Sequence, residues 1–336
     1  MIFKGEAKAG MSCWPEYFDN EEIAAREKRE GKSKFSLQYL VQSGVAGLIY
    51  PLRLENLIIW DVERDTCPTT IQWSKTFGLT GDRAANAPST CMEDFRHVGF
   101  SDDAFYRPKY ASKDVGRYAT TVCWVDPSGK GKDSTGWCIA SSGFGKIFIK
   151  ALGGYEGVGY SEYILESICK SARQHGVNTI YSEDNFGSGM WSRLMEPILQ
   201  HHFVEPGEND LYPEGWRCSL VCGRETRLFG MKERRIVDTL EPLTQSHRIV
   251  MDRQAASNRD FQHQYTRMRA ERRALEHDDI IESMAEACRV LSDTARLDPE
   301  VMAEREKQQR VDDQLRQVRV LAGAGDSGGP RWFRRD

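Results

Sequence analysis

Residues 120–154 read TTVCWVDPSGKGKDSTGWCIASSGFGKIFIKALGG, and the reading of this stretch decides the fold class. TTVCWVD (120–126) is an apolar strand that stops on an acid. GWCIASS (136–142) and GKIFIKALGG (145–154) are two further strands joined by short glycine turns. Downstream, SEYILESICKSARQHG (161–176) has helical spacing through Tyr163, Ile164, Ile168 and Ala172 and ends at Gly176. NTIYSE (178–183) is a fourth strand that again stops on an acid, and WSRLMEPILQHH (191–202) is helical. A strand at 216–222, a helix over about 231–243, a short strand at 248–251 and two helices over about 258–274 and 278–292 complete the set. Three hairpin strands followed by alternating helices and strands predict an α/β domain with a mixed sheet flanked by helices.

The flanks read differently. WPEYFDNEEIAAREKREGKSKFSLQYL contains a helix opened by Asp19 or Asn20 and broken at Gly31, with too few apolar positions to bury a core alone. Residues 51–116 are turn-rich, with an alternating stretch at Leu57 to Val62 that predicts a strand, and they read as a connector. Beyond Asp293 a highly charged helix and a glycine-rich end predict a flexible tail. The division expected is therefore 1–50, 51–116, a main domain at 117–292 and a tail at 293–336.

The chain has 336 residues, with 46 Lys plus Arg against 50 Asp plus Glu and a net charge of -4. No run approaches the roughly 20 apolar residues of a membrane span, and MIFKGEAKAG does not read as a signal peptide, so a cytoplasmic protein is expected. Nine cysteines with no C-x2-C pair read as reduced thiols in apolar contexts. Cys218 and Cys222 near His201 and His202 could be forced into a zinc site. Their alternation with Arg217, Ser219 and Val221 is instead how a half-buried strand is written.

Three acid clusters carry the chemistry, each at the end of an element. Asp126 closes the first strand, Glu183 the fourth, and Asp278 and Asp279 open a helix. Singly, each has an ordinary explanation as a turn former, a solvated strand end or a helix N-terminal charge pair. Brought to one sheet rim, such acids raise one another's pKa unless cations separate them. Two divalent ions, Mg2+ or Mn2+ in an all-oxygen shell, would remove that cost and make a phosphodiester cleavage site. Gly129, Gly131, Gly187 and Gly189 would let a phosphate backbone come close. The phosphate-loop pattern G-x-x-x-x-G-K-[ST] occurs nowhere, so no ATP site is expected. Basic residues flank the acids: Arg224, Arg227, Lys232, Arg234 and Arg235, then Arg267, Arg269, Arg272 and Arg273. Lys232, Arg235 and Arg273 are the expected phosphate contacts.

YATTVCWVDPSGKGKDSTGW, TIYSEDNFGSGMWSRLMEPIL, GMKERRIVDTLEPLTQSHRIV and ALEHDDIIES together resemble the nuclease domain of the large terminase subunit of short-tailed phages, in order from about Tyr118 to Leu291. WPEYF, FSLQYL and YPLRL resemble more weakly the end of that family's ATPase domain and its connector. The resemblance implies a ribonuclease H-like fold and a metal-dependent endonuclease that cuts concatemeric phage DNA during genome packaging. Asp126 matches the family's first acid, Glu183 the second and the Asp278–Asp279 pair the third, with His277 before the pair. The family commonly continues D-D-x-x-D-A, whereas Glu282 and Ser283 stand here. The ATPase core is expected to be absent, and 1–50 to be the remnant of its C-terminal end.

Double-stranded phage DNA, the portal protein, the small terminase subunit and a separate ATPase half are the partners implied, with action at the procapsid portal. Arg331, Trp332, Phe333, Arg334 and Arg335 in the tail suit a portal contact. Two alternatives stay open: a docking remnant that binds DNA or the portal without cutting, and a resolvase-like nuclease of the same fold.

Overall fold

A computed structural model describes residues 19–31, 35, 50–76, 89–100, 103–128, 134–183, 189–209, 212–223 and 231–296; of Glu183 and 293–296 only the backbone is described. The expected glycine loops around Gly129, Gly131 and Gly187, the basic residues Arg224 and Arg227, and the C-terminal tail lie outside these residues.

Helix α1 (Asn20–Glu30) opens where Asp19 accepts the Glu22 N–H at 2.7 Å, and it stops at Gly31, whose φ of 82° is one that glycine adopts freely. Strands β1 (Ile58–Trp60), β2 (Thr66–Pro68), β3 (Ile71–Gln72), β4 (Tyr110–Ala111) and β5 (Val115–Arg117) follow. β2 pairs with β5 and β3 with β4 in two small antiparallel ribbons. The three decisive strands come next: β6 (Thr120–Asp126), β7 (Thr135–Gly143) and β8 (Lys146–Tyr155). Then come α2 (Glu162–Gln174), β9 (Thr179–Glu183), α3 (Met190–His201), β10 (Ser219–Gly223), α4 (Lys232–Gln245), β11 (Ile249–Asp252), α5 (Arg253–Ser257), α6 (Arg259–Arg267) and α7 (Asp279–Arg296).

The main sheet has seven strands in the order β1-β11-β8-β7-β6-β9-β10. β6, β7 and β8 are antiparallel in sequence, and every other neighbouring pair is parallel, which makes the sheet mixed as the sequence predicts. Period-two alternation puts Val122 and Trp124 on one face against α4, α6 and α7, and Cys123 and Val125 on the other against α2 and α3. The stretch expected as a connector takes part in this core. β1 pairs with β11 at the sheet edge, and Leu52, Leu54, Leu57 and Ile59 are buried in the larger cluster.

Some boundaries differ from expectation. The helix expected over 258–274 is α6, capped by Asn258, whose side chain accepts the Phe261 N–H at 3.0 Å; it ends at Arg267 because Met268 turns extended to bury its side chain. The strand expected from 216 begins at Ser219, while Trp216 makes only an isolated bridge to Val204. The cysteine alternation holds: Cys218 is buried in the core and His202 faces Glu166 at 2.9 Å, with no metal-holding cluster there among the described residues.

Lys150 ties the pieces together. Its ammonium donates to the Arg64 carbonyl at 2.5 Å, the His175 carbonyl at 3.1 Å and Thr121 Oγ1 at 3.5 Å, and lies 4.1 Å from the Tyr118 ring centroid. Burial pushes its pKa down to about 7. Above pH 7 the folded state releases a proton that the unfolded chain keeps, so this group makes stability rise with pH up to its unfolded value near 10.5. Lys150→Met should flatten the pH 7 to 9 limb of the stability curve by about 2 kcal/mol relative to the parent, read by urea denaturation at both pH values. Parallel curves for the two proteins would contradict this.

Candidate active site

Parallel neighbours end side by side. β6 and β9 are in register at Val125 opposite Ser182, and one residue further the two strands stop on Asp126 and Glu183. These are the carboxyl ends of adjacent parallel strands, the rim where open α/β sheets hold their ligands. On the other side of β6, Asp126 pairs with Gly136 of β7.

Helix α7 reaches this rim by its N-terminus, and Gly136 is what lets it. A Cβ built on Gly136 would lie 2.2 Å from the Asp279 carbonyl oxygen and 2.5 Å from its carbon, so only glycine fits beneath the first turn. The free amides of that turn are satisfied by a side chain: Gln264 Oε1 accepts from Ile280 N at 3.1 Å and Ile281 N at 3.0 Å. The positive end of the helix also favours the carboxylates gathered there.

Four acids and one ammonium meet at this point. Asp279 accepts from Ser134 Oγ at 2.8 Å and Ser134 N at 3.3 Å. Lys232, the first residue of α4, donates to Asp278 at 2.9 Å and forms an ion pair with Glu282. Glu282 also shares a hydrogen bond with Asp126, and Arg235 lies 3.7 Å from it. Burial pushes the Asp279 and Glu282 carboxyls above their ordinary values, with Ser134 and Lys232 opposing the rise. Burial alone would depress the Lys232 ammonium, but Glu282, Asp278 and Asp126 outweigh it and raise its pKa.

Of the residues expected from sequence, the structure brings together Asp126, Asp278, Asp279, Lys232 and Arg235. The Glu183 backbone stands beside Asp126. Lys232 and Arg235, expected as phosphate contacts, are turned onto carboxylates in this state. Arg273 is exposed on the loop before α7, where it has a φ of 56° and its N–H donates to Glu233 at 2.6 Å. Among the described residues these acids are not drawn close enough together to form a ready-made metal cage.

Sequence reasoning named Glu282 without giving it a role and missed Ser134 and Gly136. Glu282 is only 6% exposed and stands four residues after Asp278, the spacing that puts both on one helix face, so its signal was present. Ser134 and Gly136 gave no comparable signal, because their roles come from a helix that crosses the sheet from 145 residues away.

Residues 125–249 match the family described as Terminase Bacteriophage T7, Ribonuclease H-like domain. The chain is 32% identical over 309 residues to the large terminase subunit of Enterobacteria phage T3, a match that covers 87% of this chain and 48% of that protein. It thus spans about half the length of that curated relative. Among solved structures, the human cytomegalovirus terminase nuclease domain is similar at a TM-score of 0.35 and 14% identity, over 52% of this chain and 83% of that one. The nuclease domain of the large terminase subunit gp2 of bacterial virus Sf6 gives 0.36 and 9%, over 51% and 88%. The yeast mitochondrial Holliday junction resolvase Ydc2 gives 0.34 and 13%, over 57% and 86%.

Proposed function

We propose, from the match of residues 125–249 to the ribonuclease H-like domain family of the phage terminases, that this chain is the nuclease of a large terminase subunit, a metal-dependent endonuclease that cuts concatemeric duplex DNA during genome packaging. The observation that carries the reading is the crowding of Asp126, Asp278, Asp279 and Glu282 around one ammonium at the carboxyl ends of β6 and β9.

The donor set fits hard divalent cations, Mg2+ or Mn2+, because every ligand is a carboxylate oxygen and a positive charge already stands among them as Lys232. Asp126, Glu183, Asp278 and Asp279 are the residues that would hold two such ions. When bound there, the ions supply an activated water and stabilise the leaving oxygen of a phosphodiester. The protein's own part is positional. Ser134 fixes the rotamer of Asp279 through two hydrogen bonds, as outer groups do for carboxylate ligands. Glu282 holds Lys232, and Lys232 limits the repulsion between Asp278 and Asp126. Arg235 and the exposed Arg273 are the nearest phosphate contacts. The portal protein, the small terminase subunit and a site of action at the procapsid belong to the same proposal.

The test is direct. With Mn2+ the purified chain should convert supercoiled plasmid to nicked and linear forms, EDTA should stop it, and Asp126→Asn should not cut. Intact plasmid with the parent chain, or cutting by Asp126→Asn at the parental rate, overturns the reading.

A further inference from the structure

A cleft of about 580 Å³ lies between α1, α4 and α7, with Arg235 in its wall. Its walls carry Lys28 and Arg29 from α1, Arg235 from α4, Arg289 from α7 and Arg248 just before β11. Among the described residues only two acids, Asp238 and Glu286, line the cleft with them, so that lining is net positive. Glu286 is already engaged by Arg289 at 2.7 Å. Lys28 and Arg29 are exposed, and neither forms an ion pair among the described residues. The Arg235 Nε is buried without a hydrogen-bond partner.

The cleft runs along the same two helices, α4 and α7, that carry Lys232 and Glu282. Lys232 and Arg235 are about one turn apart on α4, and Glu282 and Glu286 about one turn apart on α7. From Arg235 to Ser246 the cleft follows α4 for about 16 Å, enough to run beside roughly four phosphates of a DNA strand. We propose that this cleft is a DNA-backbone track, holding the phosphates that flank the one positioned at Asp126 and Asp279. The proposal rests on the nuclease reading for its register and on the cleft itself for its charge. It gives α1, which lies outside the segment that matches the nuclease family, a role in gripping the substrate.

Binding of the full 336-residue chain to a short DNA duplex, followed by fluorescence anisotropy in EDTA over a salt series, tests the track without cleavage. Lys28→Glu/Arg29→Glu should weaken binding at least about tenfold at low salt and make the log K against log salt slope shallower by about two. Lys28→Ala/Arg29→Ala should move both readouts the same way by less, and a melting temperature equal to the parent's excludes unfolding as the cause. The same charge change at Arg117→Glu/Arg217→Glu, whose side chains are exposed and away from the cleft, should leave the slope within about half a unit of the parent's. A cleft variant that binds with the parental affinity and slope, or a control that loses as much as the cleft variant, overturns the track. Because binding is read without metal, the two readings fail separately. A chain that binds through the cleft but never cuts sinks only the nuclease reading. A chain that cuts, with Lys28→Glu/Arg29→Glu binding unchanged, sinks only the track.

Discussion

Gly136→Ala is expected to lower the proposed cleavage on the order of a hundredfold and to lower stability by about 3 kcal/mol, roughly 6–12 °C in Tm. The added methyl would stand 2.2 Å from a backbone oxygen and 2.5 Å from a backbone carbon of Asp279, and backbone in the first turn of an 18-residue helix cannot rotate aside as a side chain would. Either β7 bows or the N-terminus of α7 lifts from the sheet. Both outcomes separate Asp279 from Ser134 and from Asp126, and a displacement of about 1 Å in a catalytic group is enough to cost on the order of a hundredfold in rate. Thermal denaturation and plasmid cleavage measured on the same preparation check it. A variant that melts and cuts like the parent would show that α7 does not sit on Gly136 as described. Gly154→Ala is the natural comparison, since its nearest contact is the Ser134 Oγ at 3.1 Å, an atom that can move, and its penalty should be smaller.

Lys232→Met should also have a large effect, with a different signature. Removing one partner of a buried ion pair leaves the other charges uncompensated, a loss of about 3–5 kcal/mol when burial is complete. The Lys232 side chain is 38% exposed, so about 2 kcal/mol in EDTA is the expected loss. If the carboxylates are the cation site proposed above, the variant should recover more stability from millimolar Mg2+ than the parent does, because the ion then relieves repulsion that Lys232 otherwise relieves. Cleavage should fall roughly 10–100-fold, the usual range for groups that support ligands. Chemical denaturation with and without Mg2+ decides it: equal stability in EDTA, or equal metal responses for the two proteins, would remove Lys232 from the site.

The main sheet was legible because its signals are local. Val122, Cys123, Trp124 and Val125 are all buried in a strand covered on both faces, and the run of apolar residues ending on Asp126 announces such a strand. Helices α2, α3 and α4 were equally plain, since each carries one apolar face at helical spacing. Asp126, Asp278 and Asp279, which the fold brings together, stood out in the sequence by position at a strand end and a helix start, and the residue-by-residue resemblance grouped them. What could not be read was decided by distant partners. α6 ends at Arg267 because the core takes Met268, and no residue near position 268 says so. The strand expected at Leu57 to Val62 is β1, but its place was not legible: it pairs with β11, far along the chain, at the edge of the main sheet. Lys232 and Arg235 were read as phosphate contacts, and their ion pairs with Asp278 and Glu282 could not be read, because charge in a sequence has no address.

The place of β1 bears on how the chain can be cut into pieces. The family match begins at residue 125 and the apolar strands at 120, which invites a fragment started near 117. Such a fragment would leave β11 as a bare outer strand with unpaired amides and carbonyls, a template for sticking to other copies of itself. It would also strip Leu52, Leu54, Leu57 and Phe105 from the cluster under α6 and α7, and take away the Arg64 carbonyl that Lys150 holds. A fragment meant to stand alone is therefore expected to need residues from before Leu52, and the segment read as a connector lends its apolar side chains to the wall of the main sheet.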